Sequence, residues 1–242
     1  MPPIRSRSTA IKYHEFYDNS YDTIHLRSND NIYFKANKGR LIKSSMFFSD
    51  LLDEAGPITC PNDEDHPIDL DFASPIISTY LDIINVSTPY LVEIPYHTCK
   101  LLYALCDFTM SIQTLDTVRT MLLSSSAPKN TSQMIDLFKF ACNVNDVELG
   151  KSVFSMFYQD ATSKMNINGG KPKENSDPFL LMAKRLRPSW KLALFYALMQ
   201  IQREQMTSLG ISGKGTSARW TSKSADPVVN VRKYFNPAEF DQ

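Results

Sequence analysis

Residues 23–52, "TIHLRSNDNIYFKANKGRLIKSSMFFSDLL", decide the fold of the N-terminal half. Ile24 and Leu26 fall on one face of an extended segment, with His25 and Arg27 on the other. Ser28-Asn29-Asp30-Asn31 is turn chemistry, because Asn and Asp tolerate left-handed backbone and bond their own main chain. Ile32, Phe34 and Ala36 then resume the apolar face opposite Tyr33 and Lys35. This pattern predicts a half-buried hairpin. After Lys38 the period changes: Leu41, Ser45, Phe48 and Leu52, joined by Leu51, recur at helical spacing and predict a helix closing over the hairpin.

Upstream, residues 1–19 are polar with scattered aromatics and predict a loose arm that docks in part. Downstream, an acidic Pro-rich loop precedes "IDLDF", short enough for one strand. Ser74-Pro75 opens a helix, with Ser as cap and Pro at the first turn, buried through Ile76, Ile77, Tyr80, Leu81 and Ile84. Residues 96–109 form a further helix on Leu101, Leu102, Leu105 and Phe108, and another runs from Ile112 to Leu123 on Leu115, Val118 and Leu122. "SSSAPKNTS" is a linker by composition. Beyond it come two short helices joined at Asn143-Val144-Asn145, a break at "NINGGKPKENSD", and an amphipathic helix that Pro188 kinks or splits. From Ser208 the chain is Gly- and Ser-rich, and little order is expected. The fold class is α+β: a small sheet flanked by helices, then an all-helical extension. The expected divisions are an arm at 1–19, a mixed domain at 20–124, helices at 125–206 and a disordered tail at 207–242.

Composition narrows the function. A hydrophobic share of 43% is enough for a packed core. Twenty-six basic residues against 26 acidic ones leave no net pull toward nucleic acid or an anionic membrane. The start lacks a signal-like apolar stretch, and no run reaches the roughly 18 apolar residues of a membrane span, so a cytoplasmic or nuclear protein is expected. Cys60, Cys99, Cys106 and Cys142 form no C-x-x-C pair and read as reduced, inert thiols. His97 and Cys99 lie two apart on a helix and face different ways, so they cannot act as base and nucleophile. "GISGKGTS" departs from a phosphate-binding loop, since Gly215 follows Lys214. No catalytic, cofactor-binding or metal-binding residue is expected, and no cofactor.

The residues Leu26, Asp30, Phe34, Ala36, Lys38, Leu41, Ser45 and Phe48 stand at the offsets of the early BTB/POZ pattern. "IDLDFASPIISTYLDII" is similar to that family's third strand and following helix, and "LLYALCDFTMSIQTLDTVRTMLL" to its last helix pair. Residues 20–123 therefore resemble a BTB/POZ domain. "MIDLFKFACNVNDVELGKSVF" resembles the helical continuation of many fungal members. The chain departs from the family in three places. The acidic interface position is Thr23, with Asp22 one residue early, opposite a basic Lys38; the aromatic closing the third helix is Asn85; and no kelch repeat or zinc-finger spacing follows.

The resemblance implies a non-enzymatic protein–protein interaction module, homodimeric, acting as adaptor or scaffold, linked to a cullin-type ubiquitin ligase or to control of transcription. Phe16, Tyr17, Asp22, Lys38, Leu41 and Phe47 are the expected dimer-interface residues. Phe47 and Phe48 sit about 100° apart on a helix, so if Phe48 fills the core Phe47 lies nearer the surface. Two readings compete. One is a nuclear regulator touching nucleic acid through Arg185 and the neighbouring Lys184 and Arg187; the other is an enzyme of unrecognised type. Partners are thus a second copy and an unidentified protein, with no membrane, and nucleic acid less expected.

Overall fold

The structure, a computed structural model, describes residues 11–18, 23–53, 66–86, 94–124, 131–168, 178–208 and 231–240. The chain divides into two compact units, Met1–Ala127 and Pro128–Gln242.

The first unit is α+β. Strand β1 (Thr23–Arg27) pairs antiparallel with β2 (Tyr33–Asn37), setting Ile24 opposite Ala36 and Leu26 opposite Phe34. All four are buried, so the alternation read from sequence is the one that fills the core. In the turn between them Asn31 takes φ 60°, and the Ser28 hydroxyl accepts from the Ile32 amide at 3.0 Å. Strand β3 (Ile68–Asp69) joins β1 in parallel, giving the sheet order β2-β1-β3. It is shorter than "IDLDF" suggested. The other face of β1 is covered too: His25 is buried beneath Tyr13 of the arm, their ring centroids 6.1 Å apart.

The helical pattern after Lys38 is two helices, not one. Helix α1 (Lys38–Ser44) ends at Ser45, whose backbone is extended (φ −142°, ψ 126°), and α2 (Met46–Asp53) follows. Ser45 serves both: its amide donates to the Leu41 carbonyl, and its hydroxyl accepts from the Phe48 amide at 3.1 Å as an N-cap. Helix α3 (Ser74–Asn85) also differs from expectation. Ser74 is its first residue, and the cap is the carboxylate of Asp30 in the hairpin turn, which accepts from the Ser74 amide (2.8 Å) and hydroxyl (2.6 Å). Helices α4 (Tyr96–Phe108) and α5 (Ile112–Ser124) complete the unit. The buried stripe of α4 is Cys99, Leu102, Tyr103, Leu105 and Cys106, while Leu101 and Phe108 are exposed, correcting the expected stripe. On α3 and α5, Ile84 and Leu115 are only half-buried.

The second unit is helical. Helices α6 (Thr131–Asn143) and α7 (Val147–Asn168) meet at a corner where Asn145 takes φ 56° and the Asp146 carboxylate caps the Leu149 amide at 3.0 Å. Helix α7 is longer than the short element expected. Pro188 splits the last pattern into α8 (Pro178–Ala183) and α9 (Pro188–Ser208), with Arg185 at φ 65° between them. Arg187 then reaches the α6–α7 corner, donating to the Asn143 carbonyl at 2.7 Å, and the Trp190 indole donates to Asn145 at 3.1 Å.

The expected lack of order beyond Ser208 does not hold for residues 231–240. Two short 3-10 turns (Val231–Lys233 and Pro237–Phe240) flank Phe235, which is fully buried. The apolar area of one ring outweighs the polar composition around it.

Candidate protein-interaction surface

The N-terminus of α2 abuts the turn between α4 and α5. The Met46 amide donates to the Met110 carbonyl at 3.5 Å and the Phe47 amide to the Thr109 carbonyl at 3.3 Å. The α2 start thereby finds acceptors for amides that no helical turn can satisfy. Beneath this seam runs a chain of buried hydroxyls. Ser45 Oγ donates to the Thr109 carbonyl at 2.5 Å; Thr109 Oγ1 and Ser111 Oγ lie 2.8 Å apart, as do Ser111 Oγ and Tyr80 Oη. Burial holds the Tyr80 phenol above its ordinary range, so it stays protonated.

Beside this polar seam stand several large apolar side chains. The Phe47 ring lies 5.2 Å from Phe108, and Phe108 lies 6.3 Å from Phe72. Phe108 is 51% exposed, Met46 54%, Met110 45% and Ile112 62%. Large apolar side chains gathered this way on a hydrogen-bonded frame form a patch of the kind that marks interaction sites.

The expected interface residues separate. Phe47 is half-buried within this patch, as the 100° offset from buried Phe48 required. Leu41 is fully buried within its own unit, so it has no exposed surface to offer a second chain. Lys38 opens α1 and is half-buried, while Asp22 lies outside the described residues. Phe16 and Tyr17 belong to the arm, which pairs along β2: the His14 amide donates to Tyr33, the Tyr33 amide to Lys12, and the Lys35 amide to Tyr17. Phe16 is 79% exposed, its ring against His14 rather than Phe47. Tyr17 donates to Asp82 at 2.5 Å, and burial together with that bond raises its pKa far above the usual phenol range.

Sequence reasoning missed Met46, Met110 and Ile112 and assigned Phe108 to the core. The signal was present in "DFTMSI", where apolar residues alternate with polar ones across a helix end, a rhythm no single helix can bury.

Among the described residues no three His, Cys, Asp or Glu side chains cluster to hold a metal ion. Cys99, Cys106 and Cys142 are buried thiols outside any disulfide. Burial, helped by Asp107, pushes the Cys106 thiol up to about 12, far from the thiolate a nucleophile needs. Lys184, Arg185 and Arg187 are all exposed, and Arg187 also donates to the Asn143 carbonyl at the α6–α7 corner. No described helix is long and apolar enough to cross a membrane. No protein-family model matches the chain, and no curated protein matches it in sequence.

Proposed function

We propose that the chain is a protein–protein interaction module on the BTB/POZ plan, pairing with a second copy and serving as an adaptor or scaffold in the cytoplasm or nucleus. The observation that carries this reading is half-buried Phe47 packed on exposed Phe108, with exposed Met46, Met110 and Ile112 at the same seam. A self-complementary apolar patch of this kind suits a two-fold dimer, since each copy presents the same surface to the other. The residues that carry the resemblance also have work to do within the unit: Leu26 and Phe34 pair in the core, Asp30 caps α3, and Ser45 and Phe48 define the start of α2. A cullin-type scaffold is the further partner class the resemblance implies. The nucleic-acid reading is weaker, because basic and acidic residues balance and leave no net pull toward nucleic acid.

Sedimentation velocity across micromolar concentrations tests the pairing, with twice the chain mass expected. Phe47→Glu places a charge in the patch and should weaken association at least tenfold while leaving the far-UV helical signal unchanged. A monomer at every concentration, or a Phe47→Glu chain that still pairs, counts against the reading.

A further inference from the structure

Residues 231–240 reach the helical unit from beyond a long intervening stretch, residues 209–230, and are held the way a bound peptide is held. The Phe235 ring enters a recess where its centroid lies 5.3 Å from Phe138, 5.6 Å from Phe154 and 5.3 Å from Trp190. The floor of the recess is Gly150: a β-carbon there would sit 2.6 Å from the Trp190 ring and 3.2 Å from Phe235. Only glycine leaves room for both rings. Pro237 is buried beside this anchor, and the Phe240 ring lies 6.0 Å from Tyr196 on α9. The turn at 231–233 lies on α7 and the turn at 237–240 on α9.

The polar attachments are of a different order. The Asn236–Glu239 bonds close the segment on itself, through the Glu239 amide to the Asn236 carbonyl at 3.3 Å and the Asn236 side chain to Glu239 at 2.9 Å. Among the described residues, no backbone hydrogen bond joins the segment to α6, α7 or α9, and its one ionic link is Lys233 to Glu204 at 4.0 Å, both exposed. A segment whose backbone groups bond within itself depends on side-chain packing for its attachment. This one is fixed by side-chain burial and by covalent attachment, which supplies a high effective concentration.

We propose that the recess between α6, α7 and α9 is a docking site for a short peptide of the pattern Phe-Asn-Pro, with residues 231–240 as its resident ligand in cis. A peptide of the same pattern displaces the resident segment, so the chain's own terminus gates the site. This inference is independent of the pairing through Phe47, which concerns the other unit.

The test uses the full chain carrying one specific protease site introduced between residues 212 and 222. After cleavage, native mass spectrometry follows the C-terminal fragment, and a fluorescein-labelled peptide of residues 230–242 is added in excess. The expected result is a fragment that stays bound without its covalent link, exchanges for the labelled peptide, and leaves helical circular dichroism unchanged. A peptide carrying Phe235→Ala should bind at least tenfold more weakly. Two outcomes overturn the proposal: exchange that occurs only with loss of helical signal, which makes Phe235 part of an indivisible core, or a vacated unit that fails to take the labelled peptide. Equal binding by the Phe235→Ala peptide removes the aromatic anchor and the proposal with it.

Discussion

The two units solve the same packing problem with different chemistry. In the first, distant segments are stitched by directional polar bonds: Asp30 to Ser74, Tyr17 to Asp82, the Arg27 guanidinium to both oxygens of Asp69, and the Tyr80–Ser111–Thr109–Ser45 chain. In the second, the centre is a knot of rings, with Phe138 and Phe235 packed against each other and each against Phe154 and Trp190, and Phe157 edge-on to Phe179 at 5.3 Å. Hydrogen bonds fix position, because they fail steeply with angle and distance. Aromatic packing fixes volume, because each ring tolerates several tilts yet no extra atom. The first unit therefore holds an exposed patch on a defined frame, and the second offers a recess that a separate segment fills.

The sharpest way to break this comparison is to add volume at the aromatic knot. Gly150→Val adds a β-carbon that would itself meet the buried Trp190 ring at 2.6 Å, and two methyl groups beyond it. The expected cost is about 3 kcal/mol or more, since overpacked cores force off-rotamer side chains and backbone shifts. Thermal unfolding followed by circular dichroism should show an early transition from the helical unit and an unmoved transition from the first unit. A single transition shifting as a whole would mean that the units are one cooperative body.

A smaller effect is expected from cutting one polar stitch. Ser45→Ala removes the N-cap of α2, about 1 kcal/mol, and a buried bond to the Thr109 carbonyl, about 1 kcal/mol more. Urea unfolding should show a loss near 2 kcal/mol confined to the first unit. The Phe47–Phe108 face should loosen with it, so association should weaken even though no patch residue has changed. Unaltered association would show that the patch does not depend on the seam beneath it.

How much of this was legible beforehand follows the same division. The hairpin register could be read directly, because alternation at Ile24, Leu26, Phe34 and Ala36 admits one burial pattern. The break at Ser45 could not, because Leu41, Phe48 and Leu52 keep a helical spacing across a single extended residue. On α4 two stripes fit the period equally well; the one through Cys99, Tyr103 and Cys106 is buried, and Phe108 falls outside it. The Asp30 cap lies 44 residues from its helix, beyond any local signal. Phe235 was hidden for a different reason: the composition of a window averages away one aromatic anchor, and its recess is built from residues some 45 to 97 positions earlier.

The smallest effect expected is also the one that separates the two chemistries by pH. Burial alone would raise the Asp30 carboxyl, but hydrogen bonds from Ser28 and from the Ser74 side chain and amide outweigh it and lower its pKa below the ordinary aspartate value. A carboxylate held low in the folded state favours folding fully above the unfolded value, about 4, and that contribution fades as pH falls through the lowered folded value. Asp30→Asn cannot titrate, so the difference in midpoint between wild type and variant should shrink as pH drops below about 4. The transition of the ring-packed second unit should be the same in both chains at every pH. A gap between the chains that stays constant from pH 6 to pH 2.5 would show that Asp30 acts on α3 through shape alone. The first unit would then owe less to charge than its bonding pattern implies.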